Sequence, residues 1–426
     1  MKEQKFLIAA MLIAAVFGFV WQGQVGLAES IDPATDWPWW RGPNFNSHAT
    51  SGQNPPTTFN ERKNVKWLVE VPGSGHSSPT IVGDRVFLAT ADTQNQIQGA
   101  ICFDRRNGKQ LWITPIHSGN FPAEIHPKNT HASSTIASNG ELLFTTFFNE
   151  RQVKVSCLKV TGDIVWTKSA GAFDPKKYKF GYGASPLLYK DLVIVAAESD
   201  QGSYLVAFNQ QNGDEVWRIE RTQDVSFSSP VVAKVAGREQ LLISGLFEVS
   251  SYDPATGDKL WSVPGTTQAT CGTIVWNEDT VFASGGYPKA ETIAVKADGS
   301  NQIVWTNKTK CYEQSMVIHD GYIYAFADGG ILYCWRATDG EEMWKKRLGG
   351  DVSSSPVLVN DNIYLANEDG EVFVIQANPE RYEEVSRTRL GTDLFPTPAV
   401  VGNRIYYRFG KGIGPRRQEY LICIGE

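Results

Sequence analysis

One ten-residue phrase, YDPATGDKLW from Tyr252 to Trp261, limits what this chain can become, because it returns five more times in altered spelling. The other copies read CFDRRNGKQLW (Cys102 to Trp112), CLKVTGDIVW (Cys157 to Trp166), AFNQQNGDEVW (Ala207 to Trp217), AVKADGSNQIVW (Ala294 to Trp305) and CWRATDGEEMW (Cys334 to Trp344). Each is an apolar strand, a turn rich in Asp, Asn, Thr and Gly, and a second strand ending on Trp. Glycine supplies the positive φ such a turn needs, and Asp or Thr can bond the turn's own backbone. The indole then brings a large apolar surface to whatever the second strand packs on.

A second phrase lies between the copies: Ser or Thr, often followed by Pro, opening into an apolar strand, a tight turn and another strand. It is clear at Ser77, Ala184, Ser228, Ser354 and Thr397, and blurred near Ser133, Gly272 and Ser315. The spacing from one opening to the next is roughly forty to fifty-five residues, the period of a four-stranded propeller blade rather than of a helical repeat. Short β-branched and aromatic bursts bounded by Gly, Asn and Asp are a strand-and-turn vocabulary. The expected fold is all-β, an eight-bladed β-propeller of four-stranded antiparallel blades. Its blades fall at 76–112, 131–166, 183–217, 226–261, 270–305, 313–344, 352–388 and from 395 to the C-terminus. The last stops before a Trp strand, while NVKWLVEV (Asn64 to Val71) is a Trp strand with no blade of its own. Pairing it with Tyr420 to Ile424 closes the ring and removes the free edges an open array would expose. The seven tryptophans Trp67, Trp112, Trp166, Trp217, Trp261, Trp305 and Trp344 are expected as core, covering the strands of the neighbouring blade.

Ahead of the repeats, Lys2 and Lys5 precede the apolar run Phe6 to Val20 and small residues up to Ala28, the layout of a signal peptide cleaved after Ala28. The run is shorter than the ~20 residues a membrane span needs, and no Cys near the junction offers a lipid attachment point. The expected product is an exported monomer, periplasmic or extracellular, with residues 29–62 as an N-terminal clasp and 63–426 as the propeller. Within the clasp, DWPWWRGPNFNS (Asp36 to Ser47) reads as a plug lying on the ring, with Arg41 as a candidate for pairing with a carboxylate. The net charge of −6 gives no electrostatic reason to expect nucleic acid or an anionic membrane as partner. Cys102, Cys157, Cys334 and Cys423 share one strand position before the turn and suit small core sites. Cys271 and Cys311 break that pattern, and a disulfide between them is one reading.

The recurring Asp, Thr-Gly and Trp pattern resembles the tryptophan-docking motif of the pyrroloquinoline-quinone (PQQ)-like propellers, over nearly all of the chain after the leader. DWPWWRGP, IHPKNTHASST (Ile125 to Thr135) and FGYGASP (Phe180 to Pro186) further resemble exported PQQ-like repeat proteins of planctomycetes and related bacteria. The resemblance implies architecture more than activity. In the quinoprotein alcohol dehydrogenases a quinone sits on Ca²⁺ in the central funnel, beside a catalytic Asp and a disulfide of adjacent cysteines. This chain lacks a Cys-Cys pair and an obvious Glu/Asn/Asp ligand set. In the BamB-type branch the propeller presents loops to a partner in outer-membrane protein assembly, though that branch carries a lipid-bearing Cys missing here. The reading that results is a non-catalytic binding or scaffold protein of the cell envelope, without cofactor, taking an envelope protein or a small ligand. A PQQ- and Ca²⁺-dependent dehydrogenase and a BamB-like assembly factor are the alternatives.

Residues just before each opening should ring the funnel mouth: His76, His131, Tyr182, Phe227, Cys271, Tyr312 with Glu313, Asp351 and Phe395, with His126, Lys128 and Asn129 folding over from the connection 115–130. Aromatic and sparsely charged, the ring suits a planar or sugar-like ligand. A metal would instead need His76, His117, His126 and His131 to converge, and their spacing matches no local metal motif. The glycines of 410–414 precede no helix and so suggest no phosphate loop, and no serine nucleophile elbow is present.

Overall fold

The computed structural model describes residues 31–426, so the leader 1–28 lies outside the described residues. Eight four-stranded antiparallel sheets are arranged as blades, and in seven of them the strands follow chain order from the channel outwards. Blades one to seven span 80–118, 137–172, 187–220, 231–264, 275–307, 317–347 and 357–389. The eighth combines Ala399–Val401, Arg404–Lys411 and Gln418–Ile424 with Val65–Val71, which pairs antiparallel to the last of these, Trp67 opposite Cys423 and Glu70 opposite Tyr420. The front of the chain therefore closes the ring. Among the described residues no helix is long and apolar enough to cross a membrane. Blade one's outer strand, Gln110–Ser118, runs further than its sequence suggests, so Pro115 and His117 belong to the sheet and the long connection starts after Ser118.

What joins blade to blade is one repeated contact. In blades one to seven the register slips immediately before the motif position, as between Ala207/Trp217 and Phe208/Glu215. A bulge of this kind twists the strand and re-aims the next side chain, here swinging the indole sideways out of its own sheet. The ring lands on the turn of the following blade rather than on its strands. A Cβ on Gly108 would come within 2.7 Å of Trp67, and one on Gly213 within 2.7 Å of Trp166. These glycines also hold φ of 75° and 70°, so they meet two demands only glycine satisfies. Three of the indole N–H groups donate into the same turn, Trp67 to the Arg105 carbonyl, Trp166 to Gln210 and Trp305 to Ala337, each at 2.9 Å, whereas Trp261 donates to Gln240 of its own blade. Trp112 and Trp344 dock the same way but stay half-buried. Directly opposite the indoles stand small residues, and this is the job of four cysteines: Cys102, Cys157, Cys334 and Cys423 face Trp112, Trp166, Trp344 and Trp67.

Between blades seven and eight this device is missing, because Ser386 holds the motif position and blade eight ends without an Asp-turn. Residues 53–61 take over. Asn360 Nδ2 donates to the Gln53 carbonyl at 2.7 Å, and the Asn54 N–H donates to Asn403 Oδ1 at 2.7 Å. Ser386 Oγ donates to the Thr57 carbonyl. Buried Phe59 packs 6.0 Å from Tyr407, and Lys411 pairs with Glu61 at 2.6 Å.

The preceding stretch crosses the face opposite the funnel mouth. Trp37 exchanges backbone hydrogen bonds with Ile81 of blade one, the Pro38 carbonyl accepts from Ser138 of blade two, and Trp39 Nε1 donates to Pro186 ahead of blade three at 2.7 Å. Ser47 and Ala49 bracket Leu358 of blade seven. Arg41 is fully buried without the carboxylate expected for it. Its guanidinium instead donates to the carbonyls of Phe45 (3.2 Å) and Met316 (3.0 Å) and lies over Trp40, and burial lowers its pKa to about 9.

If the indole docks hold the ring, Trp166→Ala should lower stability by about 3–5 kcal/mol, read as a shifted denaturant midpoint. Phe59→Ala should cost a comparable amount if residues 53–61 replace the absent eighth dock. An unchanged midpoint for Phe59→Ala would show that this seam needs no filling.

Candidate functional site

The opening phrases bring eight equivalent hydroxyls together at the channel throat: Ser78, Thr135, Ser185, Ser229, Thr273, Ser315, Ser355 and Thr397. They form a belt. The Ser78 N–H donates to Thr135 Oγ1 (2.9 Å), Thr135 N–H to Ser185 Oγ (3.0 Å) and Ser185 N–H to Ser229 Oγ (2.9 Å). On the far side Thr273 N–H donates to Ser315 Oγ, Ser315 N–H to Ser355 Oγ and Ser355 N–H to Thr397 Oγ1 at 2.8, 2.8 and 3.0 Å. These backbone groups precede the first strand of each blade and have no ladder partner, so a neighbour's hydroxyl satisfies them. Ser or Thr at this position is thus an inter-blade requirement, where the sequence reads only as a strand opening.

Above the belt lies a cavity of about 200 Å³. Extended backbone turns alternate side chains inward, so the residues two places ahead of the belt form its upper wall: His76, Ser133, Gly183, Phe227, Cys271, Glu313, Ser353 and Phe395. Trp40, from the segment crossing the opposite face, is the floor. His126, Lys128, Asn129 and Phe180 come over the mouth from outside the blades.

Nine of the residues expected at the mouth therefore line one cavity: His76, His126, Lys128, Asn129, Phe227, Cys271, Tyr312, Glu313 and Phe395. Three do not. Tyr182 stands one position out of register and donates its hydroxyl to the Ala196 carbonyl at 2.9 Å. It shares with His131 a small crevice behind the wall. Asp351 stays on the rim, bonded to Lys128. Counting two residues back from the belt Ser or Thr of every opening would have found Ser133, Gly183 and Ser353. Trp40 and Phe180 carry no sequence signal, since only the folded clasp and loop bring them there.

His76 stacks on Phe395 with centroids 4.2 Å apart and planes 10° from parallel. Burial, with the charges of Arg408 and Arg417, lowers its pKa to about 3, so the ring is neutral. Phe180 sits edge-on to Phe227 at 5.6 Å, with His126 against its other side. Across the cavity, burial raises the Glu313 carboxyl above the usual range. Ser353, donating to it at 2.5 Å, and Lys128 work against that, while Glu368 reinforces it. The Lys128 ammonium is partly desolvated but held charged by Glu368 and Asp351, each at 2.9 Å. Burial beside Glu313 and Asp328 keeps the Cys271 thiol protonated.

All six cysteines are free, so the disulfide considered for Cys271 and Cys311 is not formed. The four histidines considered for a metal lie apart, His76 on Phe395, His117 on Phe147, His126 on Phe180 and His131 on Phe121. Among the described residues no three His, Cys, Asp or Glu side chains gather as a metal site would require.

With this geometry in view, the chain can be set beside known proteins. The PQQ_2 family model, described as outer membrane protein assembly factor BamB, matches residues 97–346 and 313–414, and the chain belongs to this family. Outer membrane protein assembly factor BamB of Bordetella pertussis is 22% identical over 335 residues, 74% of this chain and 76% of that one. Among solved structures, BamB from Moraxella catarrhalis superposes with a TM-score of 0.59 at 15% identity, over 84% of this chain and 96% of that one. Quinohemoprotein alcohol dehydrogenase ADHIIG from Pseudomonas putida HK5 gives 0.64 at 10% identity, over 92% and 80%. At such identities the two structures attest the fold alone.

The neutral state of His76 makes a pH prediction. Its folded pKa of about 3 lies below the ordinary 6.5, so the unfolded chain takes up the proton first. The stability involved is intact above about pH 6.5 and is lost progressively as pH falls towards 3. His48 and His117, both lowered to about 4 by burial, act with the same sign. His76→Phe should therefore lose less stability than the native protein between pH 7 and pH 4, measured by denaturant midpoints. Parallel pH profiles would overturn the buried-neutral assignment.

Proposed function

We propose that this protein is an exported, non-catalytic binding protein of the cell envelope, a scaffold whose funnel-face loops engage an envelope partner. The observation that carries the reading is the family match across the blades, taken with the surface around the mouth. Because each blade's first strand starts at the mouth, the turns between second and third strands fall on the same face. Two of them raise exposed aromatics: Phe247 in blade four, 51% exposed, and Tyr287 in blade five, 46% exposed, the latter edge-on to Tyr178 at 5.3 Å. Exposed aromatics beside a rigid frame favour protein recognition, since they bury much area for little lost freedom. The relatives' name, outer membrane protein assembly factor, suggests the class of partner.

A quinoprotein reading finds less support in the cavity. Pyrroloquinoline quinone carries three carboxylates, whereas Lys128, the one Lys or Arg in the lining among the described residues, is already shared by Asp351 and Glu368, and the wall presents a carboxylate, Glu313, of the quinone's own sign. Protein purified with added quinone and Ca²⁺ should show neither quinone absorbance nor dye-linked alcohol oxidation; stoichiometric quinone would replace the scaffold reading.

A photo-crosslinker at Phe247 or Tyr287 should capture an outer-membrane protein in intact cells, and one at Val216 on the outer rim should not. Cells lacking the protein should contain less of that captured protein in their envelopes. Unchanged envelope composition would overturn the proposal.

A further inference from the structure

We infer that the funnel is a binding site for the end unit of a neutral saccharide, one sugar ring lying on the aromatic wall with its hydroxyls bonded to the belt. This goes beyond the scaffold reading and does not rest on it.

The belt shows what the ligand must offer. Thr135, Ser185, Ser229, Ser355 and Thr397 all line the cavity, and each oxygen already accepts a backbone N–H from the preceding blade. Among the described residues their own hydrogens meet no protein acceptor, so five O–H donors face one small space. An apolar occupant would strand them at the cost of unmade hydrogen bonds, and an organic cation such as choline brings one acceptor for five donors. An anion would bring acceptors but meets the Glu313 carboxylate, while the nearby ammonium of Lys128 is committed to Asp351 and Glu368. What remains is a neutral ligand rich in oxygens that both accept and donate. Such a ligand can take the belt's hydrogens and give its own to Glu313.

The walls select a ring. His76 and Phe395 are stacked and near-parallel, and Phe227 stands across from them. The C–H faces of a pyranose are apolar and flat enough to lie on such surfaces, with its hydroxyls projecting from the edge. The volume of about 200 Å³ is many times the roughly 10–15 Å³ that one water needs on the same measure, room enough for a sugar ring. Trp40 blocks the inner end, so an end unit fits and the middle of a chain does not.

Gly183 gives a clean test. A Cβ there meets nothing within 4 Å, so Gly183→Leu fills the cavity from the wall without breaking the belt. By saturation-transfer NMR and calorimetry on the full exported chain, at least one of methyl β-glucopyranoside, methyl β-galactopyranoside and N-acetylglucosamine should bind. Gly183→Leu should weaken that binding at least tenfold with no drop in thermal midpoint, and Phe227→Ala should weaken it as well. Lack of binding by all three sugars, binding indifferent to Gly183→Leu, or binding only of glucuronate, phosphate or choline would each overturn the inference. The crosslinking experiment reads a different surface, so either result can fail while the other stands.

Discussion

The molecule depends on an indole leaving its own sheet to rest on the next sheet's turn. At Trp67, Trp112, Trp166, Trp217 and Trp305 three features coincide: a bulge that turns the side chain outward, a small residue opposite that leaves room, and a glycine with positive φ whose missing Cβ lets the ring approach. Each is modest alone. Repeated around the circle, they hold the sheets at one mutual angle, and that angle brings eight strand openings to a common axis. The belt of hydroxyls and the cavity above it follow from this convergence, since residues about 40 to 57 positions apart in sequence become neighbours.

Two buried ion pairs add direction to otherwise similar seams. Arg408 binds Glu419 and reaches Ser77 and the Ala89 carbonyl, joining blade eight to blade one beneath His76. Arg221, from blade three, binds Glu198 at 2.6 Å and the Tyr252 hydroxyl of blade four at 2.7 Å. Such pairs recover little net stability after desolvation. What they supply here is geometry, because a guanidinium fork tolerates few arrangements of its acceptors. The guanidinium of Arg408 is also one of the charges that keeps His76 unprotonated.

The blade count and the closing strand were legible because each rests on a local pattern: Gly in a turn, Trp at its far end, an orphan Trp strand ahead of the first opening. The site was legible only to within a register. Reading back from the openings reached His76, Phe227, Cys271, Glu313 and Phe395, but stopped two residues short of Ser133 at His131 and one short of Gly183 at Tyr182. A large polar side chain draws the eye, yet in extended backbone one residue reverses its direction. The belt escaped notice for another reason. Serine before proline is ordinary turn chemistry, and nothing local reveals that its oxygen serves a backbone N–H some fifty residues upstream. Arg41 likewise suggests a carboxylate by its charge, and only the folded clasp seated on the ring supplies the carbonyls of Phe45 and Met316 that hold it.

The strand that completes the circle precedes the first blade, and its partner comes 348 to 359 residues later. Whatever order the blades assemble in, Val65–Val71 must remain unpaired until Gln418–Ile424 arrives, with an edge open to any other strand it meets. Synthesis from the N-terminus thus leaves that edge unpaired in every nascent copy until the eighth blade is made. A helper that shields this segment, or the swift docking of residues 31–61 onto the early blades, would decide whether a molecule closes on itself or on its neighbour.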